Sequence, residues 1–434
     1  MPAVLAKFVS FKSMEIRTAI LISIGDELLI GQTIDTNSAW IAKQLNRLGI
    51  HIALKLTISD TKEAIKTALD LAMPQADLII CTGGLGPTKD DITKLTLNDY
   101  FGGTLVRNTT VHEHVVRFFE KRNRPMLAVN DMQADVPDNS TVLFNRMGTA
   151  PGMLFERPDT WVVSLPGVPK EMQVIIEEEL LPRIKANTIR DQQIIYKYLL
   201  LFGRGESFVA QDIEDIENVL PEHIHLSYLP NYGELKLRLS GSGTDYALLN
   251  QEMDTYMGLI RNRLEDYVVA DEDLNLEEAL VKQLKAHRLT ISTAESCTGG
   301  LISSKLTDVS GASVVYIGSV IAYHNRIKET ELNVSHDILN TVGAVSEATV
   351  LEMARSIRAK MGTDISVAVS GILGPTGATA EKPVGLVYFG IDSVKGTQAF
   401  SFNFPYDRPI NKEMAAKTAL NLLRKEMRRL VSGG

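Results

Sequence analysis

The sequence predicts an α/β protein, with two domains of alternating strands and helices and a small α+β insert between them. Three observations carry this. An apolar, β-branched run at residues 18–24 (TAILISI) leads through Gly25-Asp26-Glu27 into an amphipathic stretch at 36–48. A second apolar run at 77–81 ends in the loop Thr82-Gly83-Gly84-Leu85-Gly86-Pro87-Thr88-Lys89-Asp90-Asp91, and the alternation starts afresh at residue 276. At 434 residues the chain is also too long for one hydrophobic core of usual size.

Taken in order, residues 1–17 read as a disordered extension. Lys7 and Lys12 break its apolar stretch, no small-residue cleavage site follows, and Met14 is an alternative start. Strand 18–24, helix 36–48 closed by Gly49, strand 51–59, helix 61–73 and strand 77–81 open a parallel sheet within a domain spanning 18–187. Short strands at 194–202 and 234–240, with helices between them and Gly241-Ser242-Gly243 as a turn, mark the insert, assigned to 188–270. The acidic Asp271-Glu272-Asp273 reads as a linker. The last domain, 271–434, then runs through helix 276–287, strand 289–293, a helix after Ser296, strand 314–323 and strand 365–370.

Composition bounds the functions open to such a chain. Its 44% hydrophobic and 23% charged residues suit ordinary folded cores. A net charge of −8 argues against nucleic acid as a partner, because phosphate backbones are held by clustered Lys and Arg. Cys81 and Cys297 alone make neither a disulfide framework nor a thiolate zinc site, which fits a reducing cytoplasm. No stretch approaches the roughly 20 apolar residues of a membrane helix, so no membrane association is expected.

Ligands of parallel sheets bind at the carboxyl ends of strands, which directs attention to the loops after the first and third strands. Gly83, Gly84 and Gly86 expose backbone N–H groups and permit positive φ, so a phosphate could approach without meeting a Cβ atom; plain structural turns use glycine in the same way. Asp90 and Asp91 just downstream suit a hard divalent cation such as magnesium. The runs GDELLIGQTIDTNS, CTGGLGPTKDDIT, NRMGTAPG and LPGVPKEM, in that order, resemble the molybdopterin-binding-like domain at the front of the competence/damage-inducible CinA family, over about residues 18–181. The resemblance implies metal-dependent hydrolysis of ADP-ribose to AMP and ribose 5-phosphate. On it, Thr82, Gly83, Gly84 and Gly86 bind phosphate, while Asp26, Asp90, Asp91 and Glu171 hold or polarise a divalent metal and water. Asp26 and Glu171 read equally well as helix caps.

The insert resembles the KH-type module of full-length members of that family. Nucleic-acid-binding KH modules clamp the backbone with a GXXG loop. Here Gly203-Arg204-Gly205-Glu206 stands instead, followed by Asp212, Glu214, Asp215 and Glu217, which would repel phosphate. A spacer or dimer-forming role is expected, and the family implies a homodimer.

In the last domain, Ser296 lies in Thr293-Ala294-Glu295-Ser296-Cys297-Thr298-Gly299-Gly300, between a strand and a helix. There, helix N–H groups could stabilise an oxyanion, or Ser296 or Thr298 could simply cap the helix. The candidate base is Lys328, whose pKa would fall through desolvation or through its neighbour Arg326, although most lysines are merely exposed. Cys297 is a rival nucleophile or a small buried apolar side chain. The runs TAESCTGG, GSVIAYHNRIK, GAVSEAT and VSGILGPTGATAEKPVGLVYFGI and the later Tyr406-Asp407-Arg408 resemble the CinA C-terminal domain, which also occurs alone as nicotinamide-nucleotide amidase.

That resemblance implies a hydrolase that turns nicotinamide mononucleotide into nicotinate mononucleotide and ammonia, without a cofactor. Its nucleophile falls on Ser296 and its base on Lys328. Tyr323, Ser370, Gly371 and Gly374 fall at substrate-binding positions, and Arg408 at one suited to the nucleotide phosphate. One loop departs from the family pattern, which commonly reads close to GIAGPGGGT. Leu373 replaces a small residue and Ala378 a glycine, so bulk or a lost positive-φ position is expected to narrow or misalign the site. The leading expectation is a bifunctional hydrolase of pyridine-nucleotide salvage. The alternative is a non-catalytic nucleotide-sensing adaptor in competence, DNA damage response or recombination.

Overall fold

In the computed structural model, residues 15–88, 90–187 and 193–432 are described. They form two compact units, one through Ile194 and one from Ile195. Most of the expected extension, 1–14, lies outside the described residues. Ile16, assigned to that extension, is instead buried at 2% exposure among the core residues of the first unit.

The first unit opens with β1 (Thr18–Ile24), the short helix α1 (Asp26–Leu29), α2 (Thr36–Arg47), β2 (His51–Ile58), α3 (Lys62–Ala72), β3 (Leu78–Thr82) and α4 (Thr93–Phe101). Then come β4 (Leu105–Arg107), α5 (Thr109–Glu120), α6 (Ala128–Asp131), β5 (Asp135–Pro137), β6 (Thr141–Leu143), β7 (Gly152–Glu156) and β8 (Trp161–Leu165). A last helix runs from α7 (Pro169–Ile175) through one π turn into α8 (Leu181–Asn187).

Strand alternation explains how both faces of this sheet are covered. Ala19 and Leu21 of β1 and Leu78 and Ile80 of β3 belong to one cluster with Ile41 and Leu45 of α2. Ile20, Ile22, Ile79 and Cys81 point the other way, into a cluster with Ile65 and Leu69 of α3. The strand order is β2-β1-β3-β8-β7-β6. β1 runs parallel to β2 and β3, and β3 parallel to β8, while β7 turns antiparallel. The order therefore reverses beside β1, which opens a crevice at the strand ends.

The second unit begins with the module β9 (Gln193–Phe202), α9 (Glu206–Asp212), α10 (Glu214–Glu217), β10 (Ile224–Asn231), β11 (Glu234–Gly243), α11 (Tyr246–Arg263) and β12 (Val268–Ala270). Gly241 to Gly243, expected as a turn, finish β11. A Cβ on Gly241 would meet Met253 Sδ at 2.5 Å, so the glycine lets α11 lie close on the strand. The acidic segment after β12 is not a loose linker. Asp271 pairs with Arg261 at 3.1 Å, Asp273 with Lys236 at 2.7 Å, and Glu272 with Lys282.

The rest is α12 (Leu276–His287), β13 (Ile291–Glu295), α13 (Leu301–Thr307), β14 (Tyr316–Ile321), α14 (Asn325–Leu332), α15 (His336–Thr341), α16 (Glu347–Met361), β15 (Ile365–Gly371), β16 (Leu386–Ser393), β17 (Gly396–Asn403) and α17 (Arg408–Val431). The sheet order β14-β13-β15-β16-β17 again reverses beside its first strand. Module and last domain share a seam: Leu200 and Val269 join the apolar cluster of α12 and α17. Across it, Lys417 and Glu234 make a buried ion pair at 2.8 Å, and Arg424 donates to the Val268 carbonyl at 3.1 Å.

Candidate functional sites

At the carboxyl ends of β1, β3 and β8 lies a cleft of about 490 Å³. Thr82, Gly83, Gly84 and Gly86 line it. Glycine is required at two of these positions by conformation and by space. Gly83 has φ 111° and an added Cβ would lie 2.2 Å from the Ile24 carbonyl; Gly84 has φ 66° and its Cβ would lie 2.2 Å from Thr93 Oγ1. At Gly86 a Cβ would meet the Asp91 carboxylate at 2.5 Å. Asp91 in turn accepts from the Thr88 N–H at 2.9 Å and hydroxyl at 2.5 Å, closing the loop.

Asp90, Asp91 and Glu171 line the cleft, but Asp26 does not. Asp26 is exposed at the start of α1, and the carboxylates beside the cleft in that region are Glu27, Asp35 and Asp60. Asp26 and Glu171 are not caps either, since Gly25 and Val168 occupy those positions. Glu171 accepts from Asn145 Nδ2 at 2.7 Å. The acidic cap in this region is Asp35, at the start of α2, which accepts from the Ser38 N–H at 2.9 Å and the Ser23 hydroxyl at 2.6 Å. Burial works against its ionisation, yet those hydrogen bonds and the Lys55 charge hold its carboxyl below the usual range.

Three side-chain oxygens around this cleft are buried without a partner: Gln133 Oε1 and Asn37 Oδ1 on lining residues, and Thr93 Oγ1 behind Gly84. Among the described residues, no group of three or more His, Cys, Asp or Glu side chains comes together closely enough to hold a metal ion unaided.

The second cavity, about 320 Å³, lies at the ends of β13 and β15, where the strand order of that sheet reverses. Ser296, Tyr323, Lys328, Ser370, Gly371 and Arg408 all line it. Lys328, on α14, is 1% exposed, and its Nζ lies 3.1 Å from Ser296 Oγ, 2.7 Å from the Ala322 carbonyl and 3.2 Å from the Tyr323 carbonyl. Burial brings the Lys328 amine down to about 8. Arg326 is not a cause of this shift; it is the second residue of α14, and its N–H donates to His324 Nδ1, the helix cap. Cys297 is buried in the apolar cluster, and burial pushes its thiol up to about 12, so the thiolate is suppressed.

The helix after Ser296 starts later than the sequence implies. α13 begins at Leu301 with Gly300 as its cap, so neither Ser296 nor Thr298 caps it. The Gly300 and Ile302 N–H groups donate to Glu295 Oε2 at 2.9 and 3.2 Å, and the Ser303 N–H donates to Oε1 at 2.9 Å. These helix N–H groups are therefore taken and do not form an oxyanion hole.

Ser370 donates to the Ala344 carbonyl at 2.7 Å. Gly374 lies off the lining, and its carbonyl accepts from Arg408 Nη1 at 2.8 Å; Arg408 Nη2 reaches the Tyr323 hydroxyl at 3.3 Å. The altered loop borders the cavity, with Ile372, Leu373, Thr376 and Gly377 in its lining. Leu373 is 2% exposed and packs into the core cluster while also lining the cavity wall. The loop's left-handed positions are Gly374 (φ 89°) and Gly377 (φ 95°), and Ala378 is not one of them. Asn325 and Thr376 also line the cavity and were missed from sequence; Asn325 sits three residues before Lys328, a spacing that shares a helix face.

Comparison with known proteins adds three family matches: "Probable molybdopterin binding domain" over residues 20–186, "Damage-inducible protein CinA KH domain" over 196–270, and "CinA C-terminal domain" over 273–427. A "CinA-like protein" of Flavobacterium psychrophilum is 42% identical over 411 residues, 94% of this chain and 98% of its own length. One from Salinibacter ruber is 40% identical over 410 residues, 94% of this chain and 99% of its own. Among solved structures, a competence/damage inducible protein from Agrobacterium tumefaciens is 34% identical, covers 36% of this chain and 98% of its own, and has a TM-score of 0.34.

Proposed function

The chain belongs to the CinA family, and on that premise we propose that its C-terminal site hydrolyses the carboxamide of nicotinamide mononucleotide, releasing ammonia and nicotinate mononucleotide. The observation that carries this reading is the buried pairing of Ser296 with Lys328 at 3.1 Å. A neutral lysine amine has two hydrogens and one lone pair. With the hydrogens given to the Ala322 and Tyr323 carbonyls, the lone pair is left for the Ser296 proton.

Lys328 then removes that proton as Ser296 Oγ attacks the carboxamide carbon. The resulting ammonium passes its proton to the leaving nitrogen, so ammonia departs and an acyl-serine ester remains. Lys328, neutral again, deprotonates a water that attacks the ester, and returns the proton to Ser296 as the acid leaves. Arg408 would bind the phosphate of the nucleotide; among the described residues its guanidinium donates to a carbonyl and a phenol and meets no carboxylate.

For the N-terminal cleft we propose ADP-ribose hydrolysis to AMP and ribose 5-phosphate, assisted by a divalent ion. The cleft fits such an ion chemically: carboxylates on one loop, a glycine cradle that a Cβ would fill, and unpaired side-chain oxygens. Because no three carboxylates gather there among the described residues, Asp90 and Asp91 would contribute ligands to the ion from the cleft wall, which Glu171 also lines, and substrate phosphates would supply most of its shell. When bound, it supplies charge neutralisation and a more acidic water. The Gly83, Gly84 and Gly86 backbone binds and orients the pyrophosphate.

Ammonia release from nicotinamide mononucleotide, compared between wild type and Ser296→Ala, tests the amidase reading. Turnover by the wild type alone supports it. Calorimetric binding without turnover would favour the nucleotide-sensing adaptor.

A further inference from the structure

Glu295 is wholly buried next to the nucleophile and takes no part in the chemistry above. We infer that Glu295 is a positioning residue that holds Ser296 and Lys328 in register, an inference that rests on the Ser-Lys reading of the site. Its side chain and its main chain grip the two halves of the pair separately. The carboxylate accepts from the Gly300, Ile302 and Ser303 N–H groups and from the Ser303 hydroxyl at 2.6 Å. It thereby fixes the turn that carries Ser296 onto α13. The Glu295 carbonyl accepts from the Ala322 N–H at 2.8 Å, and the Ala322 carbonyl is the nearest partner of Lys328 Nζ. A single residue, Ala322, thus joins the anchor of the base to the residue before the nucleophile.

The surrounding hydroxyls are ordered to serve this carboxylate. Tyr316 donates to Ser303 Oγ at 2.7 Å, so the Ser303 proton is free for Glu295, and Thr293 Oγ1 lies 3.1 Å from the Tyr316 oxygen. Every group that meets either oxygen of Glu295 is a donor. An amide in its place would turn an NH2 toward two of them, leaving buried donors unmatched. The Ser296 N–H bonds to the Val369 carbonyl at 3.0 Å, which ties the nucleophile to β15 but not to Lys328. The Glu295 main chain supplies the link to the base, and its carboxylate holds that stretch of chain against the start of α13.

The test is the rate at which a fluorophosphonate labels Ser296, measured with full-length protein beside kcat and KM for ammonia release. Glu295→Gln is expected to slow labelling and kcat by about a hundredfold, the cost of misplacing reacting groups by roughly 1 Å, while KM changes less than about threefold. Labelling of folded Glu295→Gln at the wild-type rate would overturn the inference. If that variant does not fold, Ser303→Ala decides: it removes one donor and keeps the carboxylate, so at an unchanged melting temperature labelling should fall about threefold to tenfold, and wild-type labelling would refute the role. A wild type that is not labelled at Ser296 would instead refute the Ser-Lys reading itself.

Discussion

Ser296 and Lys328 stand 32 residues apart in the chain and 3.1 Å apart in space. The pair works only while the amine is neutral, and burial has brought that amine down to about 8. Amidase kcat/KM should therefore rise with pH and level off above about 8, with one proton lost on the acidic limb. A profile flat from pH 6 to 9 would remove Lys328 as the base.

The same shift has a stability consequence. Between about 8 and the ordinary value near 10.5 the folded state holds fewer protons at Lys328 than the unfolded state does. Stability from this residue therefore rises with pH across that window, and below it burial of the charge costs on the order of 3 kcal/mol. Lys328→Met should abolish acylation, retain nucleotide binding, and flatten this part of the pH dependence of urea unfolding. Parallel wild-type and variant curves would contradict it.

Replacing the nucleophile and its neighbour should give opposite results. Ser296→Ala should lower ammonia release by at least about a thousandfold, as loss of covalent catalysis does elsewhere. Cys297→Ser should remain within about threefold of wild type, because the thiol serves packing and a small side chain of similar size replaces it. Ammonia assays on both variants, with melting curves as a folding check, separate the two residues.

Arg408 holds no carboxylate among the described residues and is assigned to the substrate phosphate. Arg408→Ala should raise KM for nicotinamide mononucleotide about tenfold to a hundredfold, the worth of one or two charged hydrogen bonds, and leave kcat nearly unchanged. Nicotinamide riboside, which lacks the phosphate, should be insensitive to the substitution.

In the N-terminal cleft, Gly83→Ala should stop ADP-ribose hydrolysis, because its Cβ would lie 2.2 Å from a carbonyl at a positive φ. Asp91→Asn should impair the same reaction, partly by weakening the loop closure onto Thr88. Both variants should still release ammonia from nicotinamide mononucleotide, and excess chelator should abolish only the ADP-ribose reaction. Full ADP-ribose hydrolysis in chelator would exclude the divalent ion.

Much of the architecture was legible because the strands announce themselves: TAILISI is apolar on both faces, as a strand between two helix layers must be. Ser296 and Lys328 were legible from their motifs. What escaped was local. Asp26 and Glu27 are adjacent on a helix of four residues, and nothing in their spacing tells which one turns toward the cleft. Glu295 fell in the segment between strand 289–293 and the next helix, and its four donors come from residues 300–303, whose conformation the sequence does not give. At Leu373 the sequence pointed to a larger side chain at the pocket, and the residue does line the cavity, yet its packing into the core cluster behind that wall was not legible.

The seam between the module and the last domain bears on how this protein could be shortened. A fragment starting at Asp271 would bare the apolar seat of Leu200 and Val269 to water, a change that favours self-association. Lys417 and Arg424 would at the same time lose Glu234 and the Val268 carbonyl and gain water, offsetting part of that penalty, while Arg424 keeps its bonds to Asn421. An engineer wanting the amidase alone would therefore keep both cations and recolour only the greasy positions around them, treating the join as a surface in waiting.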